Sequence, residues 1–426
     1  MRRLALVAAI LIVLGGAIGA AYYESTHRFG GSVRGTTTEF DPTETVAVPQ
    51  PSAGSLLSPM FAGVPQHLHV GAGRVRPPFR LDWVTGGTSL IEFPPAIGFH
   101  YLYYASLNGN LIAVSSRNGR RLWTDHVGRC EAAGPALSRL GRGTVFETFL
   151  NPVPCGRGTA KGEGEIIAVA AGPGHALRWR KTLGVTETSP VLVGNRIYVA
   201  DYGGRVYCLR AVDGRTLWTY QAGGAVKGAI TYDRGRVFFG SYDGRLYALR
   251  ASDGKLIWRA QSNRDWLGGH GQFYSTPSVA YSRVYLGSTD GHVYSFGERS
   301  GKLRWSYRTG GFVYGSPAIW RHRVLVGSYD HYFYALDAAT GTLLWRFHAN
   351  GEISGSATVV DGIVYFSTLE RRTYGLDART GKQVWTFPDG AFTPVVTDGK
   401  RIYVIGWAKL YAFSPRRGLQ GSSSGP

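Results

Sequence analysis

Eight tryptophans divide most of this chain into near-equal lengths. Trp83, Trp123, Trp179, Trp218, Trp258, Trp305, Trp345 and Trp385 are separated by 40, 56, 39, 40, 47, 40 and 40 residues. Such a period marks a repeated unit that buries its apolar face only by stacking on its neighbours. One unit reads in full from Ser316 to Trp345. Ser316-Pro317-Ala318-Ile319 opens a first strand, and Arg321-His322-Arg323 turns the chain. Val324–Gly327 is a second strand, Asp330-His331 a turn and Tyr332–Leu336 a third. Ala339-Thr340-Gly341 then turns into a fourth strand that carries Trp345. Asn108-Gly109, Asn118-Gly119, Asp213-Gly214, Asp243-Gly244, Asp253-Gly254 and Asp290-Gly291 are tight-turn dipeptides, in which glycine takes the positive φ required.

Four antiparallel strands every 40 or so residues predict the blade of a β-propeller. The small or proline step that opens a unit occurs eight times, from Pro94-Pro95 to Thr393-Pro394. After Trp385 only three strands remain, ending at Tyr411-Ala412-Phe413, so Phe79–Val84 is expected to supply the missing outer strand. The fold expected is all-β, an eight-bladed propeller of four-stranded antiparallel blades over residues 79–416, closed by an N-terminal strand. Composition agrees. Gly is 60 of 426 residues, aromatics are 13% and charged residues 18%, which excludes a coiled coil or a disordered chain.

Ala335-Leu336-Asp337-Ala338-Ala339-Thr340-Gly341-Thr342-Leu343-Leu344-Trp345 and Gly375–Trp385 resemble the tryptophan-docking repeat of quinoprotein-type propellers. Ala248–Trp258 and Cys208–Trp218 resemble it more loosely. The resemblance implies the fold. It leaves function open, because the family holds calcium- and pyrroloquinoline-quinone-dependent dehydrogenases, non-catalytic scaffolds such as the outer-membrane assembly lipoprotein, and kinase sensor domains. The dehydrogenases carry two adjacent cysteines beside the quinone, whereas Cys130, Cys155 and Cys208 are all apart. Neither the quinone nor calcium is therefore expected, and most aspartates fall in turns.

The ends add context. Met1-Arg2-Arg3 precedes an uncharged run from Leu4 to Tyr23, long enough at 1.5 Å per residue to cross about 30 Å. Residues 1–23 are read as one N-terminal transmembrane helix, a signal anchor with the rest of the chain outside the cytoplasm; a cleaved signal peptide after Gly19-Ala20-Ala21 is the alternative. Residues 24–78, rich in proline, are read as an extracytoplasmic stalk, and 417–426 as a disordered tail. His67 and His69 lack companions that would make them a metal site.

Cys130 and Cys155 fall in loop classes that leave a blade on the same face, so a disulfide between them is expected in an oxidising compartment, with two free thiols as the alternative. Cys208 sits where other units carry alanine and is expected in the core. Two insertions share that face: Leu150–Glu163, and Gln261–Gly271 with Arg264, Trp266 and His270. Glu92, Glu187, Lys227, Tyr274 and Tyr314 precede inner strands and are expected at the channel mouth. Basic residues outnumber acidic 47 to 28, giving +19. The turns from first to second strands, including Arg139, Arg142, Arg234, Arg236, Arg321 and Arg323, put many of them on the opposite face, a candidate surface for anionic lipid or wall polymer. No basic run marks a nucleic-acid arm.

The function expected is a monomeric, single-pass, membrane-anchored module of the bacterial cell envelope, binding other envelope proteins or an anionic surface as a scaffold. The rival reading is a divergent quinone-dependent oxidoreductase.

Overall fold

A three-residue row crosses each repeat and explains its sequence. In the computed structural model, which describes residues 31–45, 56–150, 152, 155, 162–264, 269–392 and 395–416, the tryptophan on the outer strand stands opposite a small residue on the third strand. That residue in turn stands opposite a large one on the second. The row reads Tyr198–Cys208–Trp218 in one blade and Phe238–Ala248–Trp258 in the next. The small middle residue lets the two rings meet above it, with centroids 5.9 Å apart for Tyr198 and Trp218 and 5.8 Å for Phe238 and Trp258. Cys208 is fully buried and unbridged, a small core residue as its position predicts.

Most of the tryptophans also reach the next blade: six lie on a glycine there, and Trp179, Trp218, Trp258 and Trp305 also donate to a carbonyl there. Trp218 Nε1 donates to Ala251 O and Trp305 Nε1 to Ala338 O, both at 3.0 Å. The indole lies on the glycine of the neighbour's last turn. Gly254 has φ +73°, and a Cβ there would meet Trp218 at 2.6 Å. The turn therefore requires glycine twice, for its φ and for the close ring.

The strands form eight antiparallel four-stranded blades, one of them carrying an extra short strand. From first to last, their inner strands are Ala96–Gly98, Ala136–Ser138, Val191–Val193, Thr231–Asp233, Ser278–Ala280, Ala318–Trp320, Thr358–Val360 and Val395–Thr397. The eighth blade is Val395–Thr397, Ile402–Ile405 and Lys409–Pro415, with Phe79–Gly86 paired on its outside and Trp83 opposite Ala412. Its row, Tyr403–Ala412–Trp83, has rings 5.7 Å apart, and Trp83 lies against Gly119 of the first blade. Ile97, Leu102 and Tyr104 share a buried cluster with Val396, Tyr403 and Ile405, joining the first blade to the last.

The segment expected as a free stalk behaves differently over its described parts. Residues 56–71 run through the axis of the ring. Their carbonyls accept from inner-strand amides in turn: Pro59 from Leu137, Pro65 from Tyr232, Gln66 from Val279, Leu68 from Ile319 and His69 from Val359, at 2.7–3.0 Å. Val70–Gly71 then pairs in parallel with Thr358–Val360. The reason is physical. Each inner strand has an axial edge with no strand beside it in its own blade, and this segment satisfies an amide on six of the eight. Met60, Phe61, Leu68 and Val70 are buried, as are His67 and His69, whose imidazoles burial drives down to about 3, so both are neutral. Composition understated the segment because its apolar partners lie in the ring, not in itself.

Residues 31–45 cross the face of the first turns. Phe40 packs on Tyr281 and His322, and the carbonyls of Thr36, Thr38 and Glu39 accept from Arg283, which is fully buried. Among the described residues no helix is long and apolar enough to cross a membrane; Leu4–Tyr23 and the 417–426 tail lie outside them.

Candidate functional site: the axial cavity and the face around it

The steps that open the inner strands form a hydrogen-bonded girdle. Gly134 N donates to Ser189 Oγ, Ala229 N to Thr276 Oγ1, Thr276 N to Ser316 Oγ and Ser316 N to Ser356 Oγ, at 2.9–3.0 Å. Small hydroxyl residues are required there because each must accept an amide from the preceding blade. Above this girdle a cavity of about 300 Å³ opens on the axis. Phe61 of the axial segment and Phe93 belong to its lining, with Glu92, Glu187, Lys227, Tyr274 and Tyr314, which are thus brought together as the sequence suggested.

Its two sides differ. Tyr242, Tyr274, Tyr314 and Tyr329 form an arc of rings in contact, with centroids 5.1 Å apart for Tyr274–Tyr314 and 5.0 Å for Tyr314–Tyr329. The other side is acidic. Burial, reinforced by Glu187 and opposed by Lys227, raises Glu92 to about 7. Behind it Glu131 and Glu147 are fully buried, and burial with the neighbouring carboxyls holds both well above the usual carboxylate range. Each takes one backbone bond, Ala133 N to Glu131 Oε1 at 2.7 Å and Thr148 N to Glu147 Oε1 at 3.0 Å, and their other oxygens have no hydrogen-bond partner.

Lys227 sits between the two sides. Its Nζ is 3.3 Å from Glu187 Oε1 and lies 4.4, 5.3 and 5.7 Å from the ring centres of Tyr202, Tyr242 and Tyr274. Tyr202 OH donates to the same Glu187 oxygen. Sequence reading missed Tyr202, Tyr242 and Tyr329, although each recurs beside the second turn of its unit, in Asp201-Tyr202-Gly203, Ser241-Tyr242-Asp243 and Ser328-Tyr329-Asp330. Glu131 and Glu147 carry no such signal, since burial of a carboxyl leaves no mark in sequence.

On the same face Cys130 and Cys155 are bonded, with Cα atoms 5.5 Å apart. Closing 25 residues of chain contributes about 3.5 kcal/mol in the chain-entropy picture. In the second insertion the backbones of Arg264 and His270 form an antiparallel bridge, and His270 Nδ1 lies 3.1 Å from Ser262 O; Trp266 lies outside the described residues.

The basic face is smaller than the sequence suggested. Arg234 is engaged by Glu44 at 3.0 Å and Arg236 by Glu298 at 2.9 Å, and Arg283 lies beneath residues 36–39. Arg139, Arg142 and Arg321 remain exposed, and Arg321 and Arg323 flank the Trp320 ring at 5.1 and 5.9 Å.

The sequence pattern of the family described as outer membrane protein assembly factor BamB matches residues 162–311, 245–358 and 309–420, overlapping stretches that together cover more than half of the chain. The chain belongs to that family. Among solved structures it is similar to BamB from Moraxella catarrhalis, at 17% identity and a TM-score of 0.65, over 79% of this chain and 99% of that one. It is similar also to a europium-containing methanol dehydrogenase, at 13% identity and a TM-score of 0.71, over 84% and 98%. A quinohemoprotein alcohol dehydrogenase from Pseudomonas putida HK5 matches at 11% and 0.64, over 91% and 82%. At these identities the likeness is one of fold. No curated protein matches the chain in sequence.

The fold of the two dehydrogenases raises the question of a quinone and its metal. Among the described residues no three His, Cys, Asp or Glu side chains converge as metal ligands. The cavity offers one cation, Lys227, already engaged by Glu187, and faces Glu92 besides. A tricarboxylate quinone finds more acid than base there. Asp290 and Asp330 serve their own turns: Asp290 Oδ1 accepts from His292 N and its Oδ2 from Tyr294 OH, and Asp330 repeats this with Tyr332 N and Tyr334 OH. The residues present do not fit the group.

Proposed function

We propose that this BamB-family propeller is a membrane-anchored, extracytoplasmic scaffold that recruits a partner protein on the face carrying the cavity and the insertions. The observation that carries the reading is the misfit just described: the axial site has the shape of a binding site but neither the charge nor the ligands for quinone chemistry. The assembly-factor family match supports it. So does the Cys130–Cys155 disulfide, which suits an oxidising compartment, and the apolar run Leu4–Tyr23 behind Arg2-Arg3 suits an anchor.

The opposite face, with Arg139, Arg142, Arg321 and Arg323, is proposed to lie toward an anionic surface. Two of those arginines bracket Trp320, which holds them in place.

The oxidoreductase reading is tested on the purified protein with pyrroloquinoline quinone and calcium. The scaffold reading predicts no quinone retained after desalting, by absorbance and mass spectrometry, and no dye reduction with alcohols or sugars. Stoichiometric quinone with calcium-dependent turnover would replace it.

A further inference from the structure

The cavity already holds a ligand of a kind, its own lysine. The Lys227 ammonium stands over three tyrosine rings and against Glu187. This is how a site built for an alkylammonium is furnished, since a cation over a ring face is drawn by the ring quadrupole and a carboxylate completes its shell. The surroundings point the same way. Glu187 keeps a second oxygen, Oε2, buried without a hydrogen-bond partner, and Glu92 lines the same wall. Tyr274, Tyr314 and Tyr329 extend the ring surface beyond the lysine, with Ser275, Ser316 and Ser354 between them. In a chain of net charge +19, the lining of this pit has two carboxyls, Glu92 and Glu187, to one cation.

We infer that the axial cavity binds a second alkylammonium group, in the tyrosine–carboxylate cage that Lys227 now occupies. The inference rests on the reading of this face as a recognition surface and names the chemistry recognised there. Two sources share that chemistry, a lysine side chain presented by a peptide and a free diamine. At about 300 Å³ the cavity has room for a short carbon chain with its charged end. A neutral sugar or an anion gains nothing from a lysine already neutralised by Glu187.

The lysine makes the idea sharply testable, because it competes with the ligand. Calorimetry on the full disulfide-bonded chain uses Nα-acetyl-lysine methylamide for the peptide source and cadaverine for the free amine, with N-acetylglucosamine and citrate as neutral and anionic probes. At least one amine is expected to bind, and the tighter of the two identifies the source. Lys227→Met vacates the cage and is expected to tighten that amine about tenfold. Glu187→Gln is expected to weaken it by at least as much, and gives a second reading if the methionine variant does not fold. Amine affinity unchanged in both variants, no amine binding to either protein, or citrate or sugar binding that is lost in Lys227→Met would overturn the inference. Partner crosslinking at the insertions that persists while amines fail to bind would retire this inference alone and leave the scaffold reading standing.

Discussion

Gly254 shows how much a single position can specify. Its φ of +73° costs any other residue backbone strain, and the Trp218 ring 2.6 Å from its missing Cβ leaves no room for one. Gly254→Ala is expected to destabilise the protein by about 2 kcal/mol, read as a fall in unfolding midpoint; Gly235→Ala, with a comparable φ of +80° but open space, isolates the packing part. An equal loss in the two would show that the docking contact contributes nothing. The two members were legible in the sequence as recurring turn glycines and recurring tryptophans; that an indole lies on the next unit's glycine was not, because the contact joins residues of different blades. Nor was the acidic side of the cavity, beyond Glu92 and Glu187. There the consequence is a pH dependence. Glu92 titrates near 7 folded, against 4.5 in its ordinary state, so the folded chain holds that proton more tightly. Below pH 4.5 the group costs nothing; between pH 4.5 and 7 the unfolded chain releases this proton while the folded chain keeps it, so stability falls by up to about 3 kcal/mol, and above 7, where the group ionises in place, it levels. Glu131 and Glu147 act in the same direction. Glu92→Gln is therefore expected to be more stable than the parent at pH 8 and no more stable at pH 4.5. A gain of the same size at both pH values would contradict the assignment.

Elements carry the next layer. The repeat predicted strand order and turn chemistry closely: the unit read from Ser316 to Trp345 is Ala318–Trp320, Arg323–Gly327, Tyr332–Asp337 and Leu343–His348 in the structure. The inner strands begin two or three residues later than the opening steps, because those steps are spent on the hydroxyl girdle. The axial segment was illegible for a different reason. Its order comes from the edges of six inner strands that converge only once the ring has formed, so no local pattern announces it. Two deletions separate these elements. Removing Phe79–Gly86 strips the outer strand from Lys409–Pro415 and exposes Leu410, Ala412 and Phe413, which are buried now; the melting temperature is expected to fall by more than 10 °C, if the chain folds at all. Removing residues 31–45 uncovers one face and leaves every blade complete, so a smaller fall is expected. Equal melting temperatures would mean that the outer strand does not hold the eighth blade.

At the scale of the whole molecule two faces divide the work. One presents exposed arginines and the covering segment 31–45; the other presents the disulfide, the insertions and the cavity. Attraction of the first face to an anionic surface is long-range and should fade as salt shortens the Debye length from about 10 Å at 0.1 M to about 3 Å at 1 M. Cosedimentation of residues 31–416 with anionic vesicles is expected at low salt, to be lost at 1 M and to be weakened by Arg321→Glu with Arg323→Glu; binding indifferent to both would remove that role. The scaffold claim itself is tested most directly by site-specific photo-crosslinking of the full chain in its native membranes, with the crosslinker placed in turn at Arg264 on the insertion face, at Arg321 on the opposite face and at Leu256 on a blade edge, all three exposed. The account predicts a discrete protein adduct from Arg264, absent from Leu256 and Arg321 and abolished by removing residues 265–269, which leaves the crosslinker position in place. Adducts distributed alike over the three positions, or none from Arg264, would contradict it.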